Sequence, residues 1–326
     1  MRVVITGATG FVGGALARGL AAEGVAIGAL VRPASERGRL DGVPVTWIEG
    51  DVTQPESLRG AFAGADWVIH AAGVLGRAGV SESTYHRLHV EGTGHVLAEV
   101  ASSPGTPPRV LYVSSPGVLG PISGAAADET APLAPSNAYE RSKAAAEGVA
   151  CAFARDGLPI IIARPEFIYG PGDSHVLGLF RAVQRGMFFY VGSGRTVCHP
   201  TYIDDAVDGV VRCLQRGRPG EIYHLTGPEP VTFRHLGETI AAALGVRPPR
   251  LAIPRPVAWM AALALEGLGQ VSGKEPPLSR TGVAFFSENR RFSWQKAQRE
   301  LGYTPQFDLQ LGVQKTVSWY REQGLL

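Results

Sequence analysis

Tyr139 and Lys143 stand four residues apart, a spacing that puts both side chains on one face of a helix. An ammonium beside a phenol favours the phenolate and lowers its pKa from about 10. Such a pair suits an acid or base that trades a proton with a substrate hydroxyl during hydride transfer. Taken alone, the spacing reads as well as an exposed pair with no chemistry. It has company: Ser114 and Ser115 end a β-branched run upstream and offer a hydroxyl to hold a substrate oxygen. Near the start, Val3-Val4-Ile5-Thr6-Gly7-Ala8-Thr9-Gly10-Phe11-Val12-Gly13 reads as a strand, a glycine turn and the opening of a helix.

In that context Gly7, Gly10 and Gly13 have the spacing of a dinucleotide site. Gly7 permits the tight turn, Gly10 lets a pyrophosphate approach the backbone, and Gly13 lets helix and strand pack closely. The helix N-terminus adds amide donors and a positive dipole, and Thr9, Phe11 and Val12 share the turn. An NAD site usually places an acid at the end of the second strand, but here the chain reads Leu30-Val31-Arg32-Pro33-Ala34-Ser35. Arg32, with Ser35 and Arg37 at hand, can pair a 2′-phosphate. NADP is therefore favoured over NAD, with a solvated strand-end arginine as the plainer alternative. Asp51 and Val52 follow the third strand, where the adenine edge falls. Ala71, Ala72 and Gly73 end the fourth, where backbone must pass close to the cofactor.

Short apolar runs alternate with alanine-rich stretches through the first half, the pattern of a parallel sheet covered by helices on both faces. Strands are expected at 3–6, 26–32, 45–50, 67–71, 110–114 and 158–163, and helices at 12–22 and 92–100. The helix of Tyr139 and Lys143 begins near Ser136 or Asn137 and stops at Asp156-Gly157-Leu158-Pro159. After Arg164, turns rich in Gly and Pro take over. A helix over 203–215, capped by Asp204, and a strand over 222–225 return to the sheet. The apolar stretch 257–268 is expected as a short helix packed as lobe core or substrate lid. The class is α/β: a doubly wound parallel Rossmann sheet over 1–165, with 202–225 returning to it, and a smaller C-terminal α/β substrate lobe from 166–201 and 226–326.

The 31 basic and 29 acidic side chains leave a net charge of +2, which gives no footprint for nucleic acid or anionic lipid. Hydrophobic residues make up 45% of the chain, enough for a sizeable core and against disorder. Cys151, Cys198 and Cys213 lie far apart with no CxxC pair, so neither a disulfide framework nor a thiolate zinc site is indicated. There is no basic-then-apolar leader and no apolar run long enough to span a bilayer. A cytoplasmic protein acting on a small molecule, without nucleic acid or a membrane span and compatible with a homodimer, is expected.

The chain resembles the extended short-chain dehydrogenase/reductase superfamily, of the NAD-dependent epimerase/dehydratase type, over nearly its whole length. The resemblance rests on the Thr6 to Gly13 segment, His70-Ala71-Ala72-Gly73, the serine pair before Val118-Leu119-Gly120, and Tyr139 with Lys143. It continues through Arg164-Pro165 with Ile168-Tyr169-Gly170-Pro171-Gly172, Tyr202-Ile203-Asp204-Asp205, and Lys296-Ala297 with Leu301-Gly302-Tyr303. It implies an NAD(P)-dependent oxidoreductase interconverting a secondary alcohol and a ketone. Ser115 rather than Ser114 is then catalytic, with Tyr139 as acid and base. Lys143 also meets the nicotinamide ribose, and Pro165 and Ile168 border the cofactor. Pro277-Leu278-Ser279-Arg280-Thr281, Arg291-Phe292 and Val317-Ser318-Trp319-Tyr320 resemble the 3β-hydroxysteroid dehydrogenase and dihydroflavonol reductase branch.

Departures from the pattern bear on the substrate. Phe167 stands where sugar-nucleotide epimerases carry Asn, and Cys198 where they carry an arginine on the diphosphate; a neutral thiol makes no such clamp. Pro116 replaces the acid of dehydratases. His89 replaces an Asn linked to the helix kink and proton relay behind the tyrosine. An apolar pocket is expected from Phe167, 176–190, 196–199 and the 257–268 helix, with His199 and Tyr202 at its border. An NDP-sugar 4-epimerase or 4-ketoreductase and a non-catalytic cofactor-binding protein remain as alternatives. His86 and His89 lack a third ligand, and Asp204, Asp205 and Asp208 read as the first turn of a helix, so no metal site is expected.

Overall fold

The computed structural model describes residues 1–272 and 278–326; Pro277 of the branch-like segment lies outside them. The central sheet comprises β1 (Arg2–Thr6), β2 (Ala26–Val31), β3 (Val45–Glu49), β4 (Trp67–His70), β5 (Arg109–Val113), β6 (Ile160–Pro165) and β7 (Ile222–Leu225). The strands pair in the order β3-β2-β1-β4-β5-β6-β7, all parallel. Apolar side chains run nearly without interruption along them because both faces are covered.

Four helices do the covering: α1 (Phe11–Ala22), α2 (Gly92–Ser102), α3 (Ala138–Arg155) and α4 (Ile203–Arg216). On one face Leu16 and Leu20 of α1 and Val210 and Leu214 of α4 bury against Val3, Ile5 and Leu111. On the other, Val96 and Leu97 of α2 and Ala146 and Ala150 of α3 pack on Val4, Val68 and Val110. Strand order reverses between β1 and β4, which opens a crevice at the carboxyl ends of those strands. A further core holds Phe180, Tyr202, Phe233, Ile240, Val317 and Tyr320.

Several boundaries differ from expectation. The second strand stops at Val31, so Arg32 is an exposed loop residue. The sixth begins at Ile160 because the Leu158 N–H turns back to the Phe153 carbonyl at 3.1 Å. Asp204 does not cap α4. The N-cap is Tyr202, without a side-chain bond, and it is Asp205 that takes the Gln306 and Phe307 N–H groups at 2.7 and 3.1 Å. The apolar helix spans Arg255–Ser272, longer than expected. Over 255–269 only Ala258 and Ala262 are buried, whereas Val257, Trp259, Met260, Leu263 and Leu268 are exposed. Most of this helix is therefore not lobe core. Among the described residues, no helix is long and apolar enough to cross a membrane.

Candidate active site

The glycine turn is a cradle that side chains would fill. Gly7 has φ 71°, and a Cβ there would lie 2.7 Å from the Ala71 carbonyl and Ala72 nitrogen, so β1 and β4 meet through it. A Cβ on Gly13 would run into the Gly7 carbonyl. Gly10 is the exposed N-cap of α1 and brings no capping side chain, and the first turn carries no acid. The end of α1 therefore keeps its positive field and amide donors free of competing side chains, which suits a pyrophosphate. Asp51 is turned inward on its own loop, accepting from Thr53 N and Oγ1 at 2.8 Å each.

Asn137 caps α3 by accepting from the Glu140 N–H at 3.0 Å, which sets Tyr139 in the first turn. Tyr139 and Ser115 are both partly exposed, the Ser115 hydroxyl acting on the Tyr139 phenol, whereas Ser114 is buried with an unpartnered hydroxyl. Burial, then the Glu166 and Glu140 carboxyls, raise the Tyr139 phenol above its ordinary pKa. The lowering expected from Lys143 is thus overturned. Its ammonium donates to the Val113 carbonyl at 2.7 Å and lies 4.4 Å over the Tyr112 ring, and burial brings it down to about 7. The phenol is held protonated, in the form that donates.

Residues 3–226 match the NAD dependent epimerase/dehydratase family. The chain belongs to that family. It is 30% identical over 319 residues to a 4-hydroxy-2-methyl-3-oxo-4-farnesyl-3,4-dihydroquinoline-1-oxide ketoreductase of Stigmatella aurantiaca, covering 96% of this chain and 95% of the relative. A 3beta-hydroxysteroid-dehydrogenase/decarboxylase of Arabidopsis thaliana is 31% identical over 297 residues, 84% of this chain and 66% of that protein. A dTDP-glucose 4,6-dehydratase from Streptomyces venezuelae, solved with NAD bound, has a TM-score of 0.81 at 27% identity, with each chain covered in full. This epimerase/dehydratase-family chain is accordingly an enzyme of the NAD-dependent type.

Behind the tyrosine of this family member runs a buried hydrogen-bond system. His89 sits in a π-helical turn, His86–Glu91, where the ladder shifts and the helix bends. Its Nε2 accepts from the Val74 N–H at 3.0 Å, so its Nδ1 carries the proton toward Ser142 Oγ at 2.8 Å. Ser142 in turn donates to the Tyr139 carbonyl at 2.7 Å. Burial holds the His89 pKa down at about 3, so the ring is a neutral brace. Thr6, His70 and Thr93 form a second chain ending on the His89 carbonyl. His86 points away to Glu91 on the surface.

Other expected site residues are placed differently. His199 is buried, with Nε2 bonded to the Gly227 carbonyl at 3.0 Å and Nδ1 facing the Phe292 N–H at 3.3 Å, so both nitrogens have structural partners. Tyr202 packs between Tyr169 and Phe307 in the lobe core. Both are buried. Cys198 is buried with its thiol toward the Val231 carbonyl, close to Glu166. Phe167 packs edge-on to Phe285, and Ile168 pairs with Thr201. Arg37 is engaged by Glu49 at 3.3 Å and by Trp47, leaving Arg32 without an ion pair among the described residues. His95 holds the Val52 carbonyl at 2.9 Å.

Residues that motif reading passes over complete the site. Arg39 reaches from the loop after β2 to the Gly172 carbonyl, beside Phe11, and so ties that loop to the lobe. Its spacing from the second strand was the signal available. Arg290 and Glu140 pair behind Ser115, and only the fold brings them together.

Proposed function

We propose that the protein is an NAD(P)-dependent oxidoreductase interconverting a secondary alcohol and a ketone on a small uncharged molecule, with Ser115, Tyr139 and Lys143 as its site. The observation that carries this reading is the Tyr139 phenol, held protonated by burial, with the Ser115 hydroxyl acting on it. Toward the alcohol, Tyr139 donates its proton to the carbonyl oxygen while the Ser115 hydroxyl holds that oxygen; toward the ketone, the phenolate takes the proton back. A nicotinamide dinucleotide held by the Gly7–Gly13 turn supplies or accepts the hydride. Gly7, Thr9, Gly10, Phe11, Val12 and Gly13 bind its pyrophosphate side, and Asp51, Val52, Ala71, Ala72 and Gly73 flank it. Pro165, Ile168 and Lys143 serve the nicotinamide end. Arg32, exposed and unpaired, favours a 2′-phosphate and hence NADP.

The likeness to a dTDP-glucose 4,6-dehydratase favours a second reading, an NDP-sugar 4-epimerase or 4-ketoreductase. Phe167 and the buried, neutral Cys198 speak against a diphosphate site, and Pro116 against dehydration. Thermal-shift screening with UDP, dTDP, GDP and steroid or flavonoid ketones, followed by NADPH oxidation with those ketones, tests the choice. Stabilisation by a ketone and its turnover are expected. Stabilisation by a nucleoside diphosphate without ketone turnover would move the assignment to the sugar reading.

A further inference from the structure

Glu166 lies between Pro165, the last residue of β6, and Phe167, whose φ of 35° is the one positive value at a non-glycine among the described residues. Its backbone N–H is tied to the Leu225 carbonyl at 3.1 Å. The residue is 4% exposed, and no described residue hydrogen-bonds its carboxyl. Its charge acts on, or is acted on by, Tyr139 and Glu140 of α3, Cys198, and Arg290 of the lobe.

Arg290 is already matched, by Glu140 at 2.6 Å and Glu288 at 3.2 Å. Glu140 and Glu288, the latter shared with Arg255 at 3.5 Å, already take up that guanidinium, so ionising a further buried carboxyl beside Glu140 is opposed. Burial and Glu140 push Glu166 up to about 7, against the pull of Arg290. The cluster abuts the reacting hydroxyl, since a side chain on Gly117 would meet Arg290 Nη1 and Ser115 Oγ, each at 3.3 Å.

We propose that Glu166 is a specificity-determining residue, its carboxyl hydrogen-bonding a second, uncharged polar group of the substrate beside the carbon that exchanges hydride. This rests on the oxidoreductase reading and states what that site selects. A buried carboxyl lacking a partner is costly, and a substrate hydroxyl or carbonyl supplies the missing bond. A carboxylate or phosphate in the same place would face Glu140 as well as Glu166. The strained backbone at Phe167, next in the chain to Glu166, sets its ring against Phe285.

Benzoin and deoxybenzoin share one skeleton and differ by the hydroxyl beside the ketone. Their reduction by NADPH, as kcat/KM, is compared for the wild type, Glu166→Leu and Glu166→Gln, with melting temperatures as the folding control. The preference for benzoin should fall about tenfold in Glu166→Leu, the size of one hydrogen bond, and largely survive in Glu166→Gln, which keeps a donor and an acceptor. An unchanged preference in Glu166→Leu overturns the proposal alone. Failure of the wild type to reduce these two ketones and the steroid and flavonoid ketones alike overturns the oxidoreductase reading and the proposal with it.

Discussion

Arg290 and Glu140 form an ion pair of 2.6 Å in which both side chains are less than a tenth exposed, and Glu140 is the neighbour of Tyr139. The other Glu140 oxygen holds the Ser136 N–H and hydroxyl at 2.7 and 2.8 Å. The lobe is thereby fastened to the first turn of α3. Arg290→Met strands the buried Glu140 carboxylate, while Glu288 keeps Arg255 at 3.5 Å, and should cost about 3–5 kcal/mol of unfolding free energy in urea titrations. Adding Glu140→Gln should recover part of that loss. A single variant within about 1 kcal/mol of the wild type would mean the pair is no more than a surface contact.

His89 braces the backbone of Tyr139 through Ser142. Losing its two buried hydrogen bonds in His89→Ala should lower kcat about tenfold, with the dissociation constant of the cofactor little changed. His89→Asn, the residue relatives commonly carry, should restore part of the rate. A variant whose main defect is in cofactor binding would contradict the brace.

Two sets of buried groups pull stability in opposite directions with pH. The Glu166 pKa, about 7 in the fold, is raised from its ordinary 4.5. The folded chain thus keeps a proton that the unfolded chain releases, and this contribution is full below about pH 4.5 and lost as pH rises through about 7. Glu166→Gln should therefore be more stable than the wild type above neutrality, by on the order of 3 kcal/mol, and equal to it near pH 4.5. His70, His89 and His224, held down to about 3, contribute above their ordinary 6.5 and are lost as pH falls toward 3. Thermal melts of both proteins across this range read the two trends, and a wild type that gains stability from pH 5 to 8 relative to Glu166→Gln would reverse the sign.

Arg32→Ala should weaken NADPH by about tenfold or more and leave NADH nearly unchanged, since only the former offers a phosphate to an arginine. Equal losses measured by cofactor titration would return Arg32 to a solvated loop residue. Arg39→Ala, which removes the strap to Gly172, should weaken both cofactors alike.

The sheet was legible because parallel strands buried on both faces write themselves as apolar runs, and Gly7, Gly10 and Gly13 announce the turn that ends the first one. Tyr139 and Ser115 were legible for the same local reason: each sits at the end or start of a readable element. Glu166, Glu140, Glu288 and Arg290 were not. Each looks like an ordinary surface charge in its own segment, and only the packing of the lobe on α3 makes them one buried cluster. The burial of His199 and Tyr202 was not legible either, because short strands of two residues carry too little pattern to tell the inner face from the outer.

Tyr139→Phe removes one hydroxyl and leaves the ring packed against Tyr85 and His89. With a ketone that the wild type reduces, the variant should lose at least about a hundredfold in kcat while binding NADPH with unchanged affinity. Turnover near the wild-type level, with cofactor bound equally well, would show that Tyr139 is not the proton donor and that the Ser115–Tyr139 pair is not the seat of the reaction.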